Sequence, residues 1–256
     1  MQTQQNVDLK QFTTVKSPAF ASLFTTVKTR EELIEAVRYG YEKKLDVMVI
    51  GGGSNTVFAA HTVNKFVIRN QYFNFEIVKE TDTTADVKVS SGLPISMLIN
   101  KTVEKGLEGF EYHQGLPGSV GGALHMNSKW TKPLMYFGDR LVSATLLDKE
   151  GNEKTVDRDY FKFAYDFSEL QNTNEILVEA VFRLTKAYAS VLKQRAAEAL
   201  AYRKETQPFG VASSGCMFQN VDGKSAGELI DKAGMKGARV GNFVVSEKHA
   251  NFIINE

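Results

Sequence analysis

An α+β fold is predicted by three features of this 256-residue chain: many short apolar strand-like runs, a few helix patterns, and two glycine-rich segments. Thr29 to Lys43 reads as a helix, because Arg30-Glu-Glu opens it with charge suited to the dipole and Leu33, Ile34, Val37 and Tyr41 recur at helical spacing. Asp46 to Ile50 is a buried strand that runs into Gly51-Gly-Gly-Ser-Asn55. Phe66–Ile68, Phe75–Val78 and Val87–Ser90 are further short strands. Pro94 to Lys105 is a helix, with proline near its start and Gly106 at its C-cap. Leu141–Leu147 and Ile176–Leu184 read as strands separated by a polar hairpin-like region, and Ala187 to Glu205 as a helix charged on one side. A boundary falls near residue 186. Beyond it come a short helix from Ser225 to Ala233 and a last strand, Asn251–Asn255.

The stretch from Gly106 to Ala123 carries six glycines and a proline, a density expected to exclude an ordinary helix or strand. Its turn Leu116-Pro-Gly-Ser119 offers a hydroxyl and an N–H, and Gly121-Gly122 would let backbone lie close to a planar or diphosphate ligand. In Gly51-Gly-Gly-Ser-Asn55, successive N–H groups after a strand can converge on an anion. Taken alone, each run is also consistent with a plain turn. Thr56 occupies the place of the third glycine of a dinucleotide fingerprint, and no Gly-Lys-Ser/Thr follows, so nicotinamide-dinucleotide and ATP motifs are disfavoured.

Lys plus Arg total 31 against 30 Asp plus Glu, which gives no bulk electrostatic reason to expect nucleic acid or a membrane surface as partner. The N-terminus has no basic segment followed by an apolar one, and a cytoplasmic location is expected. The single cysteine, Cys216, leaves no intrachain disulfide and no multi-cysteine metal site; no metal is expected. Oligomeric state is left open.

Six segments in order resemble the UDP-N-acetylenolpyruvoylglucosamine reductase family. They are Ile50–Asn55, Gly106–Gly109, Leu116–Ala123 with Met126-Asn127, Ser213–Asn220, Ser225–Asp231 and Ser246–Asn255. The resemblance implies an FAD-binding fold of the vanillyl-alcohol-oxidase/p-cresol-methylhydroxylase type, with two FAD-binding subdomains at 1–70 and 71–185 and a substrate-binding α+β domain at 186–256. It implies noncovalent FAD, NADPH as hydride donor and a UDP-sugar enolpyruvyl ether as substrate in peptidoglycan precursor synthesis. The implied cofactor residues are Gly51, Gly52, Gly53, Ser54, Asn55, Thr56, Pro117, Gly118, Ser119, Gly121, Gly122 and Asn127. Tyr165, Arg203, Lys204, Asn220 and His249 are implied on the substrate side. Cys216 sits where the family's proton donor, usually serine, would sit. A thiol that is largely protonated near neutrality suits that role.

Two departures from the family pattern stand out. A Tyr-Arg-x-Ser motif, whose arginine polarises the substrate carboxylate, reads Tyr165-Asp-Phe-Ser168 here, and an acid cannot replace a cation. Either another cation such as Arg203 or Lys204 supplies the charge, Asp166 points away, or catalysis is weakened. The family also continues past the last strand to a catalytic glutamate, so the sequence is read as C-terminally shortened, with Phe252, Ile253 and Ile254 expected to be uncovered. Two other readings therefore stay open: an impaired flavin- or UDP-sugar-binding relative, and another flavin oxidoreductase of the same fold.

Overall fold

A computed structural model describes residues 1–256. The first sheet holds β1 (Val7–Asp8), β2 (Phe20–Val27), β3 (Val47–Ile50) and β4 (Thr62–Asn70) in the order β1-β2-β4-β3, with β2, β4 and β3 mutually parallel. Helix α1 (Arg30–Glu42) makes the crossover from β2 to β3. It forms as the sequence requires: the Thr29 hydroxyl accepts from Glu32 N at 3.2 Å, and Leu33, Ile34 and Val37 bury one face against Phe66 and Ile68. The parallel pairing was not legible from the glycine run, which leads from β3 to β4 through a loop with no helix.

The second sheet is antiparallel throughout. It contains β5 (Phe75–Glu80), β6 (Thr84–Ser90), β7 (Leu107–Glu108), β10 (Leu141–Leu147), β11 (Glu153–Asp157) and β12 (Ile176–Lys186), ordered β11-β10-β12-β6-β5 with β7 also on β12. Helix α2 (Ile95–Glu104) buries Ile95, Leu98, Ile99 and Val103 on this sheet, each side chain contributing about 1.5–3 kcal/mol by leaving water. Gly106, at φ +67°, follows its last turn. Helix α3 (Val120–His125) and a ribbon of β8 (Lys129–Thr131) with β9 (Leu134–Tyr136) precede β10.

Two expectations are corrected here. The glycine-dense stretch does contain a helix: Gly121 and Gly122 lie inside α3, whose N-cap is Ser119. Their lack of side chains is tolerated because Val120, Ala123 and Leu124 bury the opposite face. The region between β10 and β12 is more than a hairpin; it holds β11, a 3₁₀ turn at Asp159–Phe161 and α4 (Leu170–Thr173).

Helix α5 (Ala189–Thr206) leads out of the second sheet to α6 (Ala226–Lys232) and a small sheet of β13 (Arg239–Val240), β14 (Phe243–Val245) and β15 (Ile253–Asn255). The expected exposure at the last strand is not found at Phe252, and Ile253 and Ile254 are half-buried. Phe252 is buried and stacks edge-on with His249 at 5.0 Å, while Ile253 to Asn255 pair with β14.

Candidate functional site

Between the two glycine segments lies a cleft of about 410 Å³, lined by Gly51, Gly52, Arg69, Asn70, Gln71, Phe73, Gly92, Pro94, Ser96 and Gly115 to Ser119. The walls are mostly main chain, and glycine is what allows them to approach. A Cβ on Gly52 would lie 3.1 Å from Gly118 Cα, one on Gly51 would overlap Ser119 Oγ, and one on Gly118 would meet Ser54 Oγ at 2.7 Å. Gly118 has φ +107° and Gly53 φ +59°; a Cβ on Gly53 would also run into Phe12 O.

Of the cofactor residues expected from the sequence, Gly51, Gly52, Pro117, Gly118 and Ser119 line this cleft. Gly53 and Ser54 shape it from behind, whereas Asn55, Thr56, Gly121 and Gly122 are not on its wall. Gly121 is needed for packing instead, since a Cβ there would lie 3.1 Å from Ser91 O. Asn127 is buried with both ends of its amide in use: Nδ2 donates to Ala164 O at 3.0 Å and Oδ1 accepts from Gly138 N at 3.1 Å. It fastens the loop that carries Tyr165.

Arg69, Asn70 and Gln71 were missed because they end a strand and carry no turn signature. Arg69 is the only charged residue lining the cleft, and its guanidinium sits 4.5 Å over the Phe12 ring. Buried Asn70 donates from Nδ2 to Ser91 Oγ at 2.9 Å and accepts Tyr72 N at 3.0 Å, so it locks the wall next to Gly92.

The second constellation surrounds Cys216. Asn251 holds this loop, accepting Phe218 N on Oδ1 at 3.0 Å and donating from Nδ2 to Phe218 O at 2.8 Å. The Tyr165 hydroxyl accepts Asn220 N at 3.2 Å, and Asn220 Oδ1 accepts Ala226 N at 3.0 Å, which ties the Tyr165 loop to the start of α6. Arg203 is buried and pairs its guanidinium with the face of Trp130 at 4.9 Å; its Nε has no partner. Burial pushes its pKa down to about 10, partly offset by the Cys216 thiolate it would face. Desolvation, and then the Asp166 carboxylate, push the Cys216 thiol above its ordinary value, while Lys129 and Arg203 pull the other way. The residue is solvent-accessible, but its sulfur stands among these groups.

Tyr165 and Asn220 are thus joined by a hydrogen bond, and Arg203 bears on Cys216. Lys204 is exposed, with its ammonium 5.5 Å from the Phe209 ring. His249 has its contacts elsewhere: Nδ1 accepts Asn251 N at 3.3 Å, the ring packs on Phe252, and Gly227 lies directly against it. Burial pushes its pKa down, which suits a neutral packed imidazole. Lys129 and Trp130 were missed, since a Lys-Trp pair in a polar stretch signals nothing until β8 places it.

The segment before β2 joins the two constellations. Thr14 N donates to Gly53 O at 3.2 Å, and Thr14 Oγ1 reaches Ser213 O at 2.6 Å. Asn255 Nδ2 donates to Val15 O at 2.9 Å. No group of three or more His, Cys, Asp or Glu side chains could hold a metal ion, and no helix is long and apolar enough to cross a membrane.

Residues 21–157 match the family model described as FAD binding domain, and residues 207–256 match that of the UDP-N-acetylenolpyruvoylglucosamine reductase C-terminal domain. UDP-N-acetylenolpyruvoylglucosamine reductase of Chlamydia muridarum is 34% identical over 252 residues, covering 98% of this chain and 82% of the relative. The crystal structure of the reductase (MurB) from Thermus caldophilus superposes with a TM-score of 0.85 at 31% identity, covering 100% of this chain and 88% of that one. Cholesterol oxidase from B. sterolicum shares the fold of 72% of the chain and 38% of its own, with a TM-score of 0.52 at 12% identity.

Proposed function

The chain belongs to the UDP-N-acetylenolpyruvoylglucosamine reductase family, FAD-dependent oxidoreductases, and from that premise we propose that it reduces UDP-N-acetylglucosamine enolpyruvate to UDP-N-acetylmuramate with NADPH, in the cytoplasm. The observation that carries the reading is the arrangement of the two sites: a cleft walled by backbone, and a protonated thiol on a separate loop stapled to it through Thr14.

The cleft fits FAD. Glycine lets its two loops pack directly on each other, the N–H groups of Gly51, Gly52, Gly118 and Ser119 donate to no other backbone carbonyl, and Arg69 adds the positive charge that a diphosphate needs. Gly51, Gly52, Gly118 and Ser119 would hold the diphosphate, and Asn70, Gln71 and Gly115 would flank the rest. FAD bound there supplies hydride transfer from NADPH to the methylene carbon of the enolpyruvyl double bond.

This chain's own groups then have two tasks. Charge that develops toward the substrate carboxylate must be met by cations, and the neighbouring carbon must receive a proton. Cys216 would carry the second task, since a raised pKa keeps its sulfur protonated at neutral pH. The proton leaves Sγ for the carbon that bears the ether oxygen and the carboxylate, and water restores it. Buried Arg203 lies beneath the site as a permanent cation, held over Trp130 and bonded to Gln207 Oε1 at 3.3 Å. Tyr165 and Asn220 close the wall between the Cys216 loop and α6.

The test is a visible spectrum of the purified protein, followed by NADPH and then the enolpyruvyl substrate. A flavin spectrum that NADPH bleaches and substrate restores, with a product two hydrogens heavier, is expected. A protein that neither retains nor takes up FAD, or whose reduced flavin ignores the substrate, contradicts the reading.

A further inference from the structure

Lys129 is half-buried and takes part in none of the chain's ion pairs. Its ammonium stands 3.3 Å above the centre of the Tyr165 ring, and Tyr165 in turn accepts Asn220 N beside the Cys216 loop. Asp166, next in sequence to Tyr165, is also unpaired and holds φ +51°, with its carbonyl pinned by Gln171 Nε2 at 3.0 Å. Neither Lys129 nor Asp166 is in an ion pair, and the two charges bear on the Cys216 thiol with opposite sign.

We propose that Lys129 is the cation that receives the carboxylate of the enolpyruvyl group, at a site where residue 166 brings negative charge. This inference rests on the functional reading above. The other two cations are placed less directly: Arg203 is buried beneath the site against Trp130, and Lys204 is exposed with its ammonium toward Phe209. Lys129 is half-buried where Lys204 is exposed, and its ammonium rests on the Tyr165 face, a contact that positions the charge and leaves its N–H donors for an incoming anion. Its mount is rigid. The next residue, Trp130, is buried, packs edge-on with Tyr202 at 5.9 Å and donates from Nε1 to Lys132 O at 2.6 Å. The Lys132 ammonium also lies 4.6 Å over Tyr202, so the whole ribbon is docked on the end of α5.

The experiment uses the FAD-loaded full chain and two ligands, the enolpyruvyl substrate and UDP-N-acetylglucosamine, which lacks the carboxylate. Lys129→Met is expected to weaken binding of the first, and to lower kcat/KM about 10–100-fold, while binding of the second is unchanged. Lys129→Arg is expected to recover most of the loss. Cys216, the sole cysteine, gives an independent readout: its alkylation should begin at higher pH in Lys129→Met and at lower pH in Asp166→Asn, because Lys129 and Asp166 bear on the thiol with opposite sign. Equal affinity of wild type and Lys129→Met for the enolpyruvyl substrate overturns the proposal. Equal loss of both ligands with FAD retained also overturns it, by making Lys129 a structural prop. If Lys129→Met does not hold FAD, the same comparison in Lys129→Gln decides. Failure of the wild type itself to bind either ligand overturns the functional reading, and this inference with it.

Discussion

Around the cleft between Gly51 and Ser119 the walls are main chain, whereas around Cys216 every wall is a side chain delivered from a different element: Lys129 from β8, Tyr165 from a loop fastened by Asn127, Arg203 from α5, Asn220 from the approach to α6. A backbone wall is made by glycine, so a single added methyl group fills it. A wall of side chains is made by packing between distant segments, and its failure is graded. The first arrangement holds a cofactor that is always the same. The second must position a proton and charges relative to a substrate that comes and goes.

The sharpest break in the comparison is at Gly53. Gly53→Ala places a Cβ on Phe12 O in a left-handed backbone, and loss of folded, FAD-loaded protein is expected, whereas Gly122→Ala, where the nearest atom is 3.8 Å away, should leave the apo protein's melting temperature within a few degrees. Thermal melts of the two variants with flavin content measured alongside check this. Comparable behaviour of both would mean that the packing of Gly53 on the Phe12 segment behind the cleft yields to a Cβ.

A second test works through acid. His113 is fully buried between Phe110 and Phe137, neither ring nitrogen has a partner, and its carbonyl accepts Leu116 N at 2.9 Å to shape the second glycine turn. Burial, and then Arg203, push its pKa down to about 4, below the ordinary 6.5 that it regains on unfolding. Because the folded pKa is depressed, the neutral ring favours the fold above pH 6.5, and that contribution is lost as pH falls toward 4. The loss amounts to about 3 kcal/mol near pH 4. Denaturant melts from pH 7 to 4 should show this slope, and His113→Phe should flatten it.

The legibility of the molecule follows the same division. Glycine spacing and the apolar run before it are local, so Gly51, Gly52, Gly118 and Ser119 could be read directly from sequence. So could α1 and α2, whose caps at Thr29 and Pro94 and apolar stripes lie within one segment. Short β7, β8, β9, β13 and β14 could not, because two or three residues show no period and form only where a partner strand is offered. Lys129 acquires meaning from Tyr165, 36 residues on, and Trp130 from Arg203, 73 residues on. Arg69 and Asn70 were hidden in the end of a regular strand.

The smallest expected effect is at the staple between the two regions. Thr14→Val removes the hydroxyl that reaches Ser213 O, at a cost of about 1 kcal/mol. The same hydroxyl reaches Ser54 O only at 3.4 Å, so hydrogen exchange should quicken more in residues 212–220 than around Gly51, with flavin content unchanged. Equal exchange in both places would show that the segment before β2 does not couple them.

The claim that the cofactor cleft and the proton donor are separate devices is tested most directly by rapid-mixing the two half-reactions in Cys216→Ala. Reduction of the flavin by NADPH should match the wild type, while reoxidation by the enolpyruvyl substrate slows about 10²–10⁴-fold. Cys216→Ser, which keeps a proton in nearly the same place, should lose far less. Reoxidation at the wild-type rate in Cys216→Ala would contradict the account, as would equal slowing of both half-reactions.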